Sequence, residues 1–176
     1  MHPGASTPAA TLAGHPSEPR PKSESASAWR AFLPLTKPTI SLLVVVTVVP
    51  ALLMAAKGLP ELSVVFAALI GTYLSSASAS VFNHILDADL DSVMNRTRGR
   101  PVPSGRVSGV AALIFGAALG MVSLLILYHF TKPLAAVVAL SANAFYVLVY
   151  TICLKRHTVQ NIVIGGAAGA VGPLIG

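Results

Sequence analysis

The chain has 176 residues, 54% of them apolar and only 10% charged, against about 25% charged in an ordinary soluble domain. So few polar side chains cannot coat a soluble surface, which excludes a soluble globular domain, and the apolar content excludes a disordered chain. The net charge of +6 would suit nucleic acid in a polar protein, but in a chain this apolar it belongs in loops beside a lipid bilayer, and no nucleic-acid partner is expected.

In chain order, residues 1–28 come first, with five prolines, many Ser, Thr and Ala, and almost no large apolar residues. Such a segment buries too little surface to offset its ordering entropy, so a disordered cytoplasmic tail is expected. It has no apolar h-region of a secretory signal, and Glu18 and Glu24 offset Arg20 and Lys22, unlike a mitochondrial presequence. The stretch 28–35, with Trp29, Arg30 and Phe32, mixes aromatics with a base, as suits a membrane interface.

Residues 29–176 then read as a membrane domain. Apolar runs at 40–56, 62–82, 107–128, 133–154 and 159–176 match the roughly 17–25 residues that cross hydrocarbon. An unpaired backbone group in lipid is costly, and no strand-like alternation is present, so the expected fold is all-α: a polytopic transmembrane bundle of about five helices, with a kink at Pro50. Arg20, Lys22, Arg30 and Lys37, then Arg96, Arg98, Arg100 and Arg106, then Lys155 and Arg156 place ten bases on one side, against Lys57 and Lys132 on the other. The positive-inside rule puts the first side, with the N-terminus, in the cytoplasm. Gly116 and Gly120, Gly165 and Gly169, and the run 75–80 of Ser and Ala give close-packing helix faces. The single cysteine, Cys153, excludes an intrachain disulfide and reads as a small buried side chain.

The second loop carries the chemistry. Three of the six acids, Asp87, Asp89 and Asp91, fall within five residues. At about 100° per helical residue, Asn83, Asp87 and Asp91 span about 80° of one face, whereas Asp89 points about 200° from Asp87. Like charges one turn apart repel, and beside a membrane their desolvation is expensive, so a positive group is expected among them. Asp and Asn oxygens suit a hard ion such as Mg²⁺, which binds through one or two carboxylates plus substrate phosphate. Arg96, Arg98, Arg100 and Arg106 follow at once, and guanidinium forks match phosphate oxygens. Together these residues read as a metal–diphosphate site; the arginines alone read equally well as loop charges that set topology. His84 lies off the shared face and reads as interfacial rather than a ligand.

Asn-x-x-x-Asp-x-x-x-Asp followed by Arg96-Thr97-x-x-Arg100-Pro101-x-x-x-Gly105 resembles the first aspartate-rich motif of the UbiA-type intramembrane prenyltransferases. A second block, 150–170, with Lys155, Arg156, Asn161 and Gly165-Gly166, is similar to the haem-farnesylating branch (the haem O synthases) more than to the aromatic-acid prenyltransferases. Thr36-Lys37-Pro38 fits as well, while Thr39 stands where that branch has Arg, and Gly172-Pro173 where it has Pro-Pro. The resemblance implies farnesyl transfer from farnesyl diphosphate to a vinyl group of haem b, giving haem O, in a bacterial inner membrane. It implies Mg²⁺ held by Asp87 and Asp91 with Asn83 alongside, and diphosphate met by Arg96 and Arg100. Lys155 and Arg156 would meet diphosphate or haem propionates, or only set topology. The family's second aspartate-rich motif is absent from these residues, so the chain is expected to be incomplete and inactive alone. The rival readings are a prenyltransferase with an aromatic, quinone-pathway acceptor, and a transporter or non-enzymatic membrane subunit. Transporters place acids near mid-membrane rather than at a helix end followed by arginines.

Overall fold

The structure, a computed structural model, describes residues 25–56, 58–147 and 172–175. All regular elements among them are helical: α1 (Ser25–Phe32), a 3₁₀ turn (Leu33–Thr36), α2 (Pro38–Ala56), α3 (Leu62–Leu86), α4 (Ala88–Val93), α5 (Gly109–Phe130), α6 (Pro133–Ala144) and a final turn α7 (Gly172–Ile175). Three of these, α2, α3 and α5, are long and apolar enough to cross a membrane, with mean hydropathy of 2.5, 1.6 and 2.6, and a shorter apolar helix runs Pro133–Val147. The fold is a membrane helical bundle.

The observed helices refine the sequence-based spans. The first span extends from 40 back to Pro38, because a proline at the first helical position lacks only an N–H that would have no partner. Pro50 lies inside α2, which continues on both sides of it. The second span extends past 82 to Leu86, which brings Asn83 and His84 onto the helix. The third begins at Gly109 rather than 107. Ser108 caps it, its hydroxyl accepting from the Ala111 N–H at 3.1 Å, while Val107 is held in the loop by donating to the Pro101 carbonyl at 3.0 Å. The helix α1 begins at Ser25, inside the segment expected to be disordered through residue 28. The remainder of that tail, residues 148–154 of the fourth span and 159–171 of the fifth lie outside the described residues.

The bundle is built with small and polar side chains inward and large apolar ones outward. Along α3 the buried residues are mostly Ala, Gly, Ser and Thr, whereas Leu62, Phe66 and Ile70 are exposed; α2 likewise exposes Leu42, Leu43, Val46 and Leu53. Lipid tails are as apolar as leucine, so burying large side chains between helices gains little, and close backbone approach with interhelical hydrogen bonds takes over. The helix α3 lies at the centre and packs most extensively on α5, and also on α2 and α6. Ser78 donates to the Gly116 carbonyl at 2.8 Å, Ser123 to the Gly71 carbonyl at 2.7 Å, and the Asn143 amide to the Ser75 carbonyl at 3.1 Å. A Cβ at Gly120 would lie 3.0 Å from the Ser78 hydroxyl and one at Gly116 3.1 Å from Val81. The expected close-packing role of Gly116, Gly120 and the serine run therefore stands; Gly165 and Gly169 lie outside the described residues.

A separate apolar cluster sits where α1, the 3₁₀ turn, the end of α3 and the start of α5 meet. Leu35, Val81, Val107 and Ala112 form its buried centre, with Phe32, Ile85, Val102 and Phe115 around them. Phe32 meets Phe115 edge-on, ring centroids 5.0 Å apart. This cluster holds together chain segments that precede and follow the carboxylates.

Candidate functional site

The three face-sharing residues leave the chain from a continuous helical register. The helix α3 stops at Leu86 and α4 starts at Ala88, but Asp87 between them keeps right-handed helical angles (φ −92°, ψ −2°). Its N–H donates to the Asn83 carbonyl at 3.0 Å and its own carbonyl accepts from the Asp91 N–H at 2.8 Å. The i to i+4 ladder therefore runs through these three residues, and all are buried: Asn83 4%, Asp87 2% and Asp91 4% exposed. Asp89 is exposed, as its position about 200° away requires.

Burying carboxylates is costly unless partners compensate, and each has one. The Asn83 amide donates to Asp87 Oδ2 at 2.6 Å. Arg100 Nη1 pairs with Asp91 Oδ2 at 2.5 Å, with 31% and 6% of the two side chains exposed. On its other side, Asn83 Oδ1 accepts from the Lys37 ammonium at 3.1 Å. Only one orientation of the amide satisfies an ammonium on one flank and a carboxylate on the other, with oxygen toward Lys37 and nitrogen toward Asp87. Asn83 was expected beside the metal as an oxygen donor; in this structure its oxygen meets Lys37 and its nitrogen Asp87.

Lys37 is the component that sequence reasoning did not assign to the site. It is the one non-glycine residue with a left-handed backbone among the described residues (φ 44°, ψ 64°), a conformation that costs a non-glycine residue roughly 1–2 kcal/mol. Its carbonyl receives the first N–H groups of α2, from Ile40 at 2.9 Å and Ser41 at 3.1 Å. Its N–H donates to the Pro34 carbonyl at 3.4 Å. The chain thus turns sharply between the 3₁₀ turn and α2, with Thr36 and Ser41 closing it through hydroxyl bonds to the Leu33 and Thr36 carbonyls at 2.8 and 3.0 Å. The signal in the sequence was the Thr36-Lys37-Pro38 triplet; its partner stands 46 residues away.

The loop after α4 gives the motif positions their physical reasons. Thr97 is buried, and its hydroxyl donates to the Asp91 carbonyl at 3.2 Å. Pro101 is buried and its carbonyl accepts from Val107. Gly105 has φ +72°, which a side chain would strain. Arg106 braces the loop by donating to the Gly99 carbonyl and the Ser104 hydroxyl. Arg96 and Arg98 are exposed. Of the arginines expected to meet diphosphate, Arg100 is brought to the carboxylates and Arg96 stands at the surface. Lys155, Arg156 and Cys153 lie outside the described residues, as does His157. His84 is buried, 4% exposed, next to Asn83 on α3. His129 lies near the far end of α5, its ring edge-on to Tyr128 at 5.5 Å.

Among the described residues no group of three or more His, Cys, Asp and Glu is placed to hold a metal by itself. Two carboxylates one helical turn apart suit Mg²⁺ instead, which binds through one or two carboxylates and completes its shell with substrate phosphate and water. A cavity of about 220 Å³ opens between α3, α5 and α6, lined by Ser78, Phe82, Gly120, Leu124, Ala139 and Asn143 among others. Phe82, which lines this cavity, precedes Asn83 on α3.

Comparison with known proteins identifies this architecture. The profile of the UbiA prenyltransferase family matches residues 44–176. A protoheme IX farnesyltransferase of Nocardioides sp. is 51% identical over 146 residues, covering 83% of this chain and 46% of the relative. Proteins of the same name from Leifsonia xyli subsp. xyli and Trichodesmium erythraeum are each 47% identical, over 84% and 90% of this chain and 48% of the relative in both cases. The chain thus spans about half the length of the curated relatives it matches. With its apolar helices and its helix-end carboxylates, it is an integral membrane protein and belongs to the UbiA prenyltransferase family.

Proposed function

We propose that the protein transfers a farnesyl group from farnesyl diphosphate to a vinyl group of haem b, giving haem O. The buried, register-locked face of Asn83, Asp87 and Asp91, clasped by Arg100, carries this reading, and the name borne by the relatives supplies the acceptor. Asp87 and Asp91 would hold Mg²⁺, whose charge would stabilise the departing diphosphate. Asn83 holds the Asp87 carboxylate in place, and Arg100 offsets the charge of Asp91 and fixes its orientation. Arg96, exposed on the same loop, would meet the outer diphosphate oxygens, with Lys155 and Arg156 as further candidates. The cavity between α3, α5 and α6 would take the isoprenoid chain and shield it from water. Transfer then breaks the carbon–oxygen bond to diphosphate, which leaves as the anion, and forms a carbon–carbon bond to the outer vinyl carbon; water adds to the cation left on the inner vinyl carbon and loses a proton, giving the hydroxyl of haem O. The membrane would be a bacterial inner membrane, with the site on its cytoplasmic side.

The test incubates membranes carrying the protein expressed from its complete gene with haem b, Mg²⁺ and farnesyl diphosphate, and looks for haem O. Transfer to an aromatic acid instead of haem overturns the acceptor; transfer to neither overturns the reading.

A further inference from the structure

We propose that Lys37 is a positioning residue for the carboxylate site. Its ammonium holds the Asn83 amide, and through that amide it sets the direction of the Asp87 carboxylate toward a metal-bound diphosphate. The inference rests on the metal–diphosphate reading above. Two independent observations meet at this residue. The first is the backbone: Lys37 alone among the described non-glycine residues adopts a left-handed conformation, and such departures persist where the surrounding structure holds them, often at functional sites. The second is the chain of contacts from Lys37 Nζ to Asn83 Oδ1 at 3.1 Å and from Asn83 Nδ2 to Asp87 Oδ2 at 2.6 Å.

The order of donors and acceptors in that chain decides the role. An asparagine amide meets a carboxylate with its nitrogen, and its direction is fixed only when its oxygen is held as well. The Lys37 ammonium holds that oxygen on the far flank, so the nitrogen stays on Asp87 Oδ2. Without the ammonium, the amide oxygen loses the donor that anchors it, and the amide can rotate so that its nitrogen no longer holds Asp87 Oδ2 in this direction. The left-handed turn puts Lys37 at the start of α2, where its carbonyl accepts from Ile40 and Ser41, and ties the first membrane helix to the end of α3.

Lys37→Gly separates the two features, because glycine accepts φ 44° without strain and lacks the ammonium. Lys37→Asn does the same with a residue that tolerates the left-handed region, should the glycine variant unfold. The probe is Mn²⁺ with inorganic pyrophosphate, titrated into the purified protein expressed from its complete gene and followed by electron paramagnetic resonance of bound Mn²⁺. Loss of an outer partner of a metal ligand costs about 10–100-fold in metal affinity, so roughly tenfold weaker retention is expected for Lys37→Gly and Lys37→Asn. Lys37→Arg, which keeps a cationic donor, is expected to stay within about threefold of the parent. In an Asn83→Ala background the same Lys37 changes should add less than about twofold, as for residues acting through one another.

Parental retention in Lys37→Gly overturns the proposal, as does an undiminished effect in the Asn83→Ala background. A parent that holds no Mn²⁺–pyrophosphate overturns both the proposal and the metal reading. A parent that holds it, loses it on Lys37→Gly and yet makes no haem O supports the proposal while overturning the acceptor reading.

Discussion

The backbone N–H of Asp91 donates to the Asp87 carbonyl at 2.8 Å, so the two carboxylates leave the chain one helical turn apart although α3 ends at Leu86 and α4 begins at Ala88. The break between the helices changes no register, and it buries both acids while Asp89 between them faces out.

This arrangement separates three aspartates that look alike in sequence. Asp87→Asn and Asp91→Asn are each expected to lower farnesyl transfer by about 100-fold or more, the scale on which loss of a key electrostatic group acts. Asp89→Asn is expected to stay within a few-fold of the parent. Equal loss at all three, measured as haem O formed by membranes at saturating Mg²⁺, would defeat the assignment to one face.

Arg100 and Arg96 should part in the same way. Arg100→Ala removes the partner of a carboxylate that is 6% exposed and is expected to destabilise the protein by roughly 1–2 kcal/mol, since the arginine itself is partly solvated. Arg96 is exposed, so Arg96→Ala should shift stability by less than about 0.5 kcal/mol while raising the KM for farnesyl diphosphate. Thermal unfolding in detergent, run beside the transfer assay, distinguishes the two. A stability loss at Arg96 equal to that at Arg100 would remove the distinction.

The face shared by Asn83, Asp87 and Asp91 was legible in the sequence because helical periodicity is local and the spacing of four survives the α3–α4 junction. The second loop's arginines were legible only as a group. What separates Arg100 from Arg96 is the fold of the loop, set by the Thr97 hydroxyl on the Asp91 carbonyl and the left-handed Gly105. Part of the motif read as diphosphate chemistry is thus loop geometry that aims one arginine. Lys37 was not legible as a site residue because its contact is long-range: nothing local says that a lysine before a proline meets an asparagine 46 positions on. The burial of His84 was not legible for a related reason, since α3 continues past the end of the apolar run and carries it inside.

The central α3–α5 contact gives a prediction independent of the chemistry. A Cβ at Gly71 would lie 2.6 Å from Leu127 Cγ and 2.7 Å from Cδ2, and Leu127 is fully buried, so it cannot swing aside. Gly71→Ala is expected to cost roughly 1–3 kcal/mol through overpacking. It would also strain the Ser123 bond to the Gly71 carbonyl. The double variant Gly71→Ala with Leu127→Ala should recover part of that loss, because the added methyl then meets a cavity. Thermal unfolding of the single variants and the pair in detergent checks this, and additive losses would show that the clash is relieved by other means.

Orientation is the last prediction, and it draws on both charge and geometry. The Lys37–Asn83 contact and the Arg100–Asp91 pair bring the start of α2, the end of α3 and the second loop to one end of the bundle. Lys132, just before α6, follows the far end of α5. Ten of the twelve bases in the chain fall on the first side by the sequence assignment, and loops rich in Lys and Arg stay in the cytoplasm. A single cysteine introduced at Ser104, in a chain with Cys153 replaced by serine, should therefore react with a membrane-impermeant maleimide only after cells are opened. A cysteine at Lys132 should react in intact spheroplasts, and one at Thr158 should behave like Ser104. The reverse pattern would put the carboxylates on the outer face, away from cytoplasmic farnesyl diphosphate, and would overturn the side proposed for diphosphate binding together with the topology.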